Sequence, residues 1–80
     1  MKTPRDVTGA ELVKALRKFD YEFMRQTGSH IMVETQESGQ HLVVVTNHNP
    51  IKLGTLNGII GDVAEHFGIT KEDVIRRLFY

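Results

Sequence analysis

The sequence predicts an α+β fold of two layers, with the element order α-β-β-β-α followed by a short C-terminal helix. Apolar residues recur at helical spacing near both ends of the chain, whereas residues 21–47 hold three short segments rich in aromatic and β-branched side chains. The turns between these segments are too short for parallel crossovers. We therefore expect a three-stranded antiparallel sheet with helices on one face and the other face open.

The size and composition are those of one small globular domain. The chain has 80 residues, of which 40% are hydrophobic and 25% charged, and we expect residues 1–80 to form a single domain. A core this small gives modest stability, so a partner protein or self-association into a homo-oligomer would help. Ten basic residues balance ten acidic ones, so no overall field attracts the chain to nucleic acid.

The expected location follows from cysteine content and hydropathy. The chain has no cysteine, which excludes disulfides and thiolate metal sites and is compatible with a reducing compartment. No apolar run is long enough to span a bilayer, and the first residues lack a hydrophobic signal core. We expect a soluble, cytoplasmic protein that does not contact membranes.

The first helix is predicted over residues 9–19. Thr8 opens the motif "TGAE", in which Glu11 completes a capping box. Asp20 marks the end of the helix. The apolar positions at helical spacing are Leu12, Val13, Leu16 and Phe19.

The three strands are predicted from the middle of the chain. "YEFMRQ" gives a strand over 21–26, "TGS" a turn, "HIMVET" a strand over 30–35 and "HLVVVTN" a strand over 41–47. The last two are joined by a short connection that contains Gly39, which predicts an antiparallel hairpin.

The second half of the chain is predicted to be mainly helical. "HNPIKLG" is a loop, and a helix runs from Thr55 to a C-terminal cap at Gly68. A close approach of this helix to the sheet would explain Gly58 and Gly61 within it. The final helix is "KEDVIRRLF", capped by the preceding threonine. The apolar stripe of the long helix comprises Leu56, Ile59, Ile60, Val63, Ala64 and Phe67.

Four histidines are the candidates for chemistry. His66 falls in the last turn of the long helix, where a structural or surface role is expected, and His41 begins a strand beside a turn, where we expect a solvated ring. His48 follows the third strand and could cap a turn or project toward a site. His30 is preceded by a Gly-Ser pair that allows close approach of a ligand to the backbone.

Most kinds of active site lack support in the sequence. No two histidines are spaced as helical zinc ligands, no serine lies in a G-x-S-x-G motif, and no glycine-rich phosphate loop precedes a helix. We expect no metal site.

RNA cleavage requires fewer groups, because RNA supplies its own nucleophile, the 2′-hydroxyl. An imidazole, whose unperturbed pKa is about 6.5, can act as acid or base at neutral pH. The amides of Gly28 and Ser29, with Arg25 or Lys52, could offset charge growing on the phosphate. These residues permit ribonuclease chemistry without singling it out.

Three segments of the chain, in order, resemble the HicA (YcfA-like) family of mRNA interferase toxins. They are "TGAELVKALRKFDYEFMRQTGSH", "VVVTNH" and "LGTLNGIIGDVAEHFGITKEDV". The pattern departs at Asp20-Tyr21, where the family usually has Gly-Phe, and at Thr46-Asn47, where a proline is expected.

The resemblance implies a double-stranded-RNA-binding-like (dsRBD-like) fold and the toxin of a type II toxin–antitoxin system. It implies an endonuclease that cleaves mRNA or single-stranded RNA with a catalytic histidine in "GSH", here His30, and we expect the cleavage to need no cofactor or added metal. It also implies a HicB-type antitoxin as partner. His48 matches a second recurring histidine, so an auxiliary role is carried over to it.

Two other functions remain open from the sequence. The first is a non-catalytic RNA-binding module, but binding of duplex RNA through the start of the long helix is disfavoured because that helix carries Asp62 and Glu65 and neither lysine nor arginine. The second is a protein-interaction module that uses the open sheet face. Only an activity measurement separates these modules from a toxin.

Overall fold

The computed structural model describes residues 2–80 and confirms the predicted α+β architecture and element order. Boundaries differ from the prediction by one or two residues at several ends. The elements are α1 (Gly9–Leu16), a 3-10 turn (Arg17–Phe19), β1 (Glu22–Thr27), β2 (His30–Thr35), β3 (His41–Thr46), α2 (Leu53–Phe67) and α3 (Lys71–Phe79).

The first helix has the predicted capping box. The Thr8 hydroxyl accepts from the Glu11 amide at 3.1 Å, and the Glu11 carboxylate accepts from the Thr8 amide at 2.9 Å. The predicted single helix over 9–19 instead tightens into a 3-10 turn for its last three residues. Asp20 then ends it with a left-handed φ of 63°.

The three strands form an antiparallel sheet in the order β1-β2-β3. A two-residue loop joins β1 to β2, and its first residue, Gly28, has a φ of +59°, as a type II′ turn requires. The residue pairing between β2 and β3 is continuous from the pair His30–Thr46 to the pair Thr35–His41. In β1 a bulge lies between Phe23 and Arg25, and this irregularity was not predicted.

The helices cover one face of the sheet and leave the other exposed. In β2, residues 31, 33 and 35 are buried while residues 30, 32 and 34 face outward, as the two-residue period of a strand dictates. The buried hydroxyl of Thr35 donates to the Phe19 carbonyl at 3.0 Å, which ties the end of the first helical segment to the sheet. The buried apolar residues of α1, β2, β3, α2 and α3 form most of the core, which includes Leu12, Leu16, Val33, Val45, Leu56, Ile60, Val63 and Val74.

The expected reason for the glycines of α2 is wrong. A Cβ atom on Gly58 would find no atom within 4 Å, and one on Gly61 would meet only the side chain of Lys71. The close backbone approach lies elsewhere: a Cβ atom on Gly9 would lie 2.7 Å from both the Cα of Asn47 and the carbonyl oxygen of Thr46. The start of α1 is therefore packed directly against the end of β3.

The last helix packs on α1 and α2. A second capping box, between Thr70 and Asp73, begins α3, which buries Val74, Ile75 and Leu78. Within residues 2–80, no helix is both long and apolar enough to cross a membrane.

Candidate active site on the open sheet face

His30 is the first residue of β2 and projects from the open face. The neighbouring Ile31 points into the core, so strand alternation places the imidazole on the opposite side, where it is exposed. No described residue forms a hydrogen bond or ion pair with this ring. It is therefore accessible to a large ligand.

Hydrogen bonds hold the turn that precedes His30 at both of its residues. The Gly28 carbonyl accepts from the Gln26 side-chain amide at 3.0 Å, and the Ser29 carbonyl accepts from the Asn47 amide at 2.6 Å. Because the positive φ of Gly28 favours glycine, and its Cβ position faces open space, the turn leaves the surface beside the imidazole unobstructed.

His48 lies at the same end of the sheet. Its amide donates to the Thr46 carbonyl at 2.8 Å, and its carbonyl accepts from the Gly9 amide at 3.0 Å. The Asn47 amide bonds the His30 turn at Ser29, so the segment that carries His48 is attached to both the turn and the start of α1. Its side chain is exposed.

Cross-strand register arranges the open face in three rows. Directly opposed residues of adjacent strands point to the same side, so each row contains one residue from each strand. The histidine row is Thr27, His30 and Thr46; the arginine row is Arg25, Met32 and Val44; the glutamate row is Glu22, Glu34 and Leu42.

The two cations predicted to assist differ in position. Arg25 is in the row next to His30, and its Nε donates to the Met32 sulfur at 3.2 Å. Lys52 precedes α2 and lines a groove with residues 4–6 and 50–53. The structure therefore places Arg25 in the row next to His30, while Lys52 belongs to a different part of the surface.

A second histidine cluster, absent from the prediction, lies on the helix-covered side. The rings of His41 and His66 stack with centroids 4.5 Å apart and planes inclined by 10°. The Tyr21 hydroxyl and His41 Nδ1 are hydrogen-bonded at 2.7 Å, and His66 Nε2 donates to the Glu37 carbonyl at 2.8 Å. The expected solvated role of His41 is wrong, because the ring is half-buried in this cluster.

Burial shifts the pKa values of Tyr21 and His41 in opposite directions. Burial, reinforced by the nearby Asp62, raises the pKa of Tyr21 to about 12. Burial also lowers the pKa of His41, and the neighbouring His66 lowers it further, against opposing effects of Asp62 and Glu65. The period of β3 could have revealed this position, since His41 shares its face with the buried Val43 and Val45.

The described part of the chain contains no group of three or more histidine or carboxylate side chains placed to hold a metal ion. The open face carries the exposed imidazole of His30, Arg25 in the adjacent row, and Glu22 and Glu34 in the row beyond it, and His48 follows β3 at the His30 end of the sheet.

Comparison with known proteins identifies the family. A family model described as the HicA toxin of bacterial toxin–antitoxin systems matches residues 9–69, which span α1 to the end of α2 and leave α3 outside the match. No curated protein and no solved structure matches the chain. Since the match covers well over half of the sequence and includes His30 and His48, the chain belongs to the HicA toxin family.

Proposed function

We propose that this toxin is a metal-independent mRNA interferase of a type II toxin–antitoxin system, with His30 as its catalytic residue. Family membership supports the toxin role, an antitoxin partner and an RNA target. The observation that carries the catalytic assignment is the exposed imidazole of His30 on an open sheet face, without an intramolecular partner in the described chain.

The proposed reaction is attack of an RNA 2′-hydroxyl on the adjacent phosphorus. The oxygen–phosphorus bond forms as the bond from phosphorus to the 5′-oxygen breaks, which gives a 2′,3′-cyclic phosphate and a 5′-hydroxyl. One group must accept the 2′-hydroxyl proton and another must donate a proton to the leaving 5′-oxygen. His30 performs one of these steps, and His48, at the same end of the sheet, assists with the other.

The charge that develops on the phosphate also needs a partner. Arg25 in the row next to His30 would offset this charge, together with the amides of Gly28 and Ser29 in the turn that precedes His30. Lys52 contributes at longer range, as a contact for RNA that extends beyond the sheet. A HicB-type antitoxin would inhibit the toxin by covering the open face.

Cleavage of single-stranded RNA in the presence of a metal chelator tests the reaction class. The expected products carry 2′,3′-cyclic phosphate and 5′-hydroxyl ends, and a 2′-O-methyl RNA of the same sequence should remain intact because it lacks the nucleophile. Cleavage of the methylated RNA, or loss of cleavage on chelation, would show that the proposed reaction is wrong.

The exposed apolar side chains of the open face favour a second candidate, a non-catalytic RNA-binding or protein-interaction module. Met24, Leu42 and Val44 are 55%, 50% and 44% exposed, and apolar surface of this kind suits a partner. This reading predicts binding to the antitoxin or to RNA without any cleavage, so the same assay separates the two candidates.

A further inference from the structure

The arginine row of the open face combines a cation with apolar surface. The hydrogen bond from Arg25 Nε to the Met32 sulfur directs the arginine side chain along the sheet. No described carboxylate forms an ion pair with Arg25. Next to it Met32 is half-buried and Val44 is 44% exposed, so a planar cation and two apolar side chains lie side by side.

This row is the direct neighbour of His30. Met32 is two residues along β2 from His30, which places the rows about 7 Å apart. A nucleotide whose phosphate lies at His30 could therefore reach the arginine row with its base.

The glutamate row has the opposite character. Glu22 and Glu34 are directly opposed on β1 and β2, an arrangement that is destabilising for like charges. The Glu34 carboxylate accepts only from the neutral side-chain amides of Gln36, at 3.0 Å, and Gln40, at 2.8 Å, among the residues described. Its charge is not neutralised, so this row repels phosphate.

We propose that Arg25, Met32 and Val44 form a subsite that holds one unpaired nucleobase of single-stranded RNA beside His30, and that Glu22 and Glu34 limit how far RNA extends along the sheet. The subsite rests on the proposed ribonuclease function and specifies how the substrate is held. Bases stack on arginine planes when they are splayed out of a single strand, whereas a duplex keeps them paired and stacked inside. The subsite therefore selects single-stranded RNA.

The test compares RNA with and without bases, in a His30→Ala background so that the RNA stays intact. The probes are a short mixed-sequence single-stranded oligoribonucleotide and an abasic oligomer of equal length and charge. We expect the His30→Ala protein to bind the base-carrying strand about tenfold more tightly, and a Met32→Ala/Val44→Ala double substitution to reduce this ratio to about twofold.

Leu42→Ala is the matched control, because Leu42 lies on the same face and strand as Val44 with similar exposure. It should leave the ratio unchanged, whereas Glu34→Gln should tighten binding of both oligomers several-fold at low salt. Any one of three results would overturn the subsite. The His30→Ala protein could bind both oligomers with equal affinity, the double substitution could leave the affinity ratio unaltered, or Leu42→Ala could lower that ratio as much as the double substitution does. If the parent toxin nevertheless cleaves RNA, the ribonuclease assignment stands; if the His30→Ala protein binds no RNA and the parent cuts none, both assignments are wrong.

Discussion

At the scale of single residues, strand alternation decides the environment of each histidine. His30 shares its face of β2 with Met32 and is exposed, whereas His41 shares its face of β3 with Val43 and Val45 and is half-buried. The same residue type at the start of a strand is thus a candidate catalyst in one case and part of a packed cluster in the other.

The depressed pKa of His41 predicts that the free energy of unfolding depends on pH. Because the folded pKa lies below the ordinary value of 6.5, the unfolded chain binds the proton first as the pH falls. The stabilising contribution of neutral His41 is complete above this ordinary value and is lost as the pH falls toward the folded pKa. We expect thermal unfolding to shift to lower temperature between about pH 7 and pH 5.

His41→Gln supplies the comparison for this prediction, since glutamine does not titrate in this range. Its unfolding temperature should change less with pH than that of the parent, whatever its absolute stability. Identical pH dependence of the two proteins would show that His41 does not carry the effect.

At the scale of elements, the packing of α1 against the end of β3 sets the position of His48. Gly9 lies at this junction, where a Cβ atom would approach two backbone atoms to 2.7 Å, and its amide bonds the His48 carbonyl. This glycine is required for packing, in contrast to Gly28, which is required for its positive φ.

The same substitution at two glycines should therefore have opposite effects on stability. Gly9→Ala should lower the free energy of unfolding by about 2 kcal/mol or more, because backbone must move to accept the methyl group. Gly58→Ala should raise it by about 0.5–1 kcal/mol, since alanine favours the helix and the added methyl meets open space. Urea unfolding of both variants measures the difference, and a loss of stability in both would contradict the packing described for α2.

The elements were predictable where the sequence carries local signals. Capping residues predicted the ends of helices, namely Thr8 with Glu11, Gly68 and Thr70. The apolar stripe from Leu56 to Phe67 predicted the buried face of α2. The bulge in β1 and the 3-10 turn after Leu16 were not predicted, and the stacked His41–His66 pair joins β3 to α2, which are distant in the sequence. The period of β3 could have shown that His41 faces the helices, but no local pattern identifies His66 as its stacking partner.

The candidate site was only partly predictable from the sequence. The resemblance supplied His30 and His48, but which cation lies next to them depends on the register of β1 against β2. Arg25 is brought into the adjacent row through the bulge, while Lys52 is carried away by the loop before α2. The residues could be named from the sequence, whereas their grouping needed the structure.

At the scale of the whole molecule, zero net charge would limit how the proposed RNA substrate is held. Without a general positive field, affinity must come from a few local contacts. A guanidinium can present its plane to a base and its N–H groups to a phosphate at the same time. If Arg25 binds RNA in this way and Lys52 contacts a second phosphate, the logarithm of the association constant should fall with the logarithm of salt concentration with a slope of about −1.4 for single-stranded RNA.

Arg25→Met tests this, and it should make the slope about 0.7 less steep because one phosphate contact is removed. The measurement is the RNA affinity of the His30→Ala protein, with and without Arg25→Met, across a series of salt concentrations. Binding that is insensitive to salt in the parent would contradict phosphate contacts as the source of affinity.

The rate of RNA cleavage by the parent toxin and by His30→Ala tests the assignment of the catalyst most directly, with thermal unfolding measured for both to verify that the fold is kept. General acid–base catalysis by one group contributes about 10²–10⁴-fold, so we expect the alanine variant to lose at least about a hundredfold in rate, and His48→Ala to lose less. A folded His30→Ala protein that cleaves RNA as fast as the parent would contradict the account.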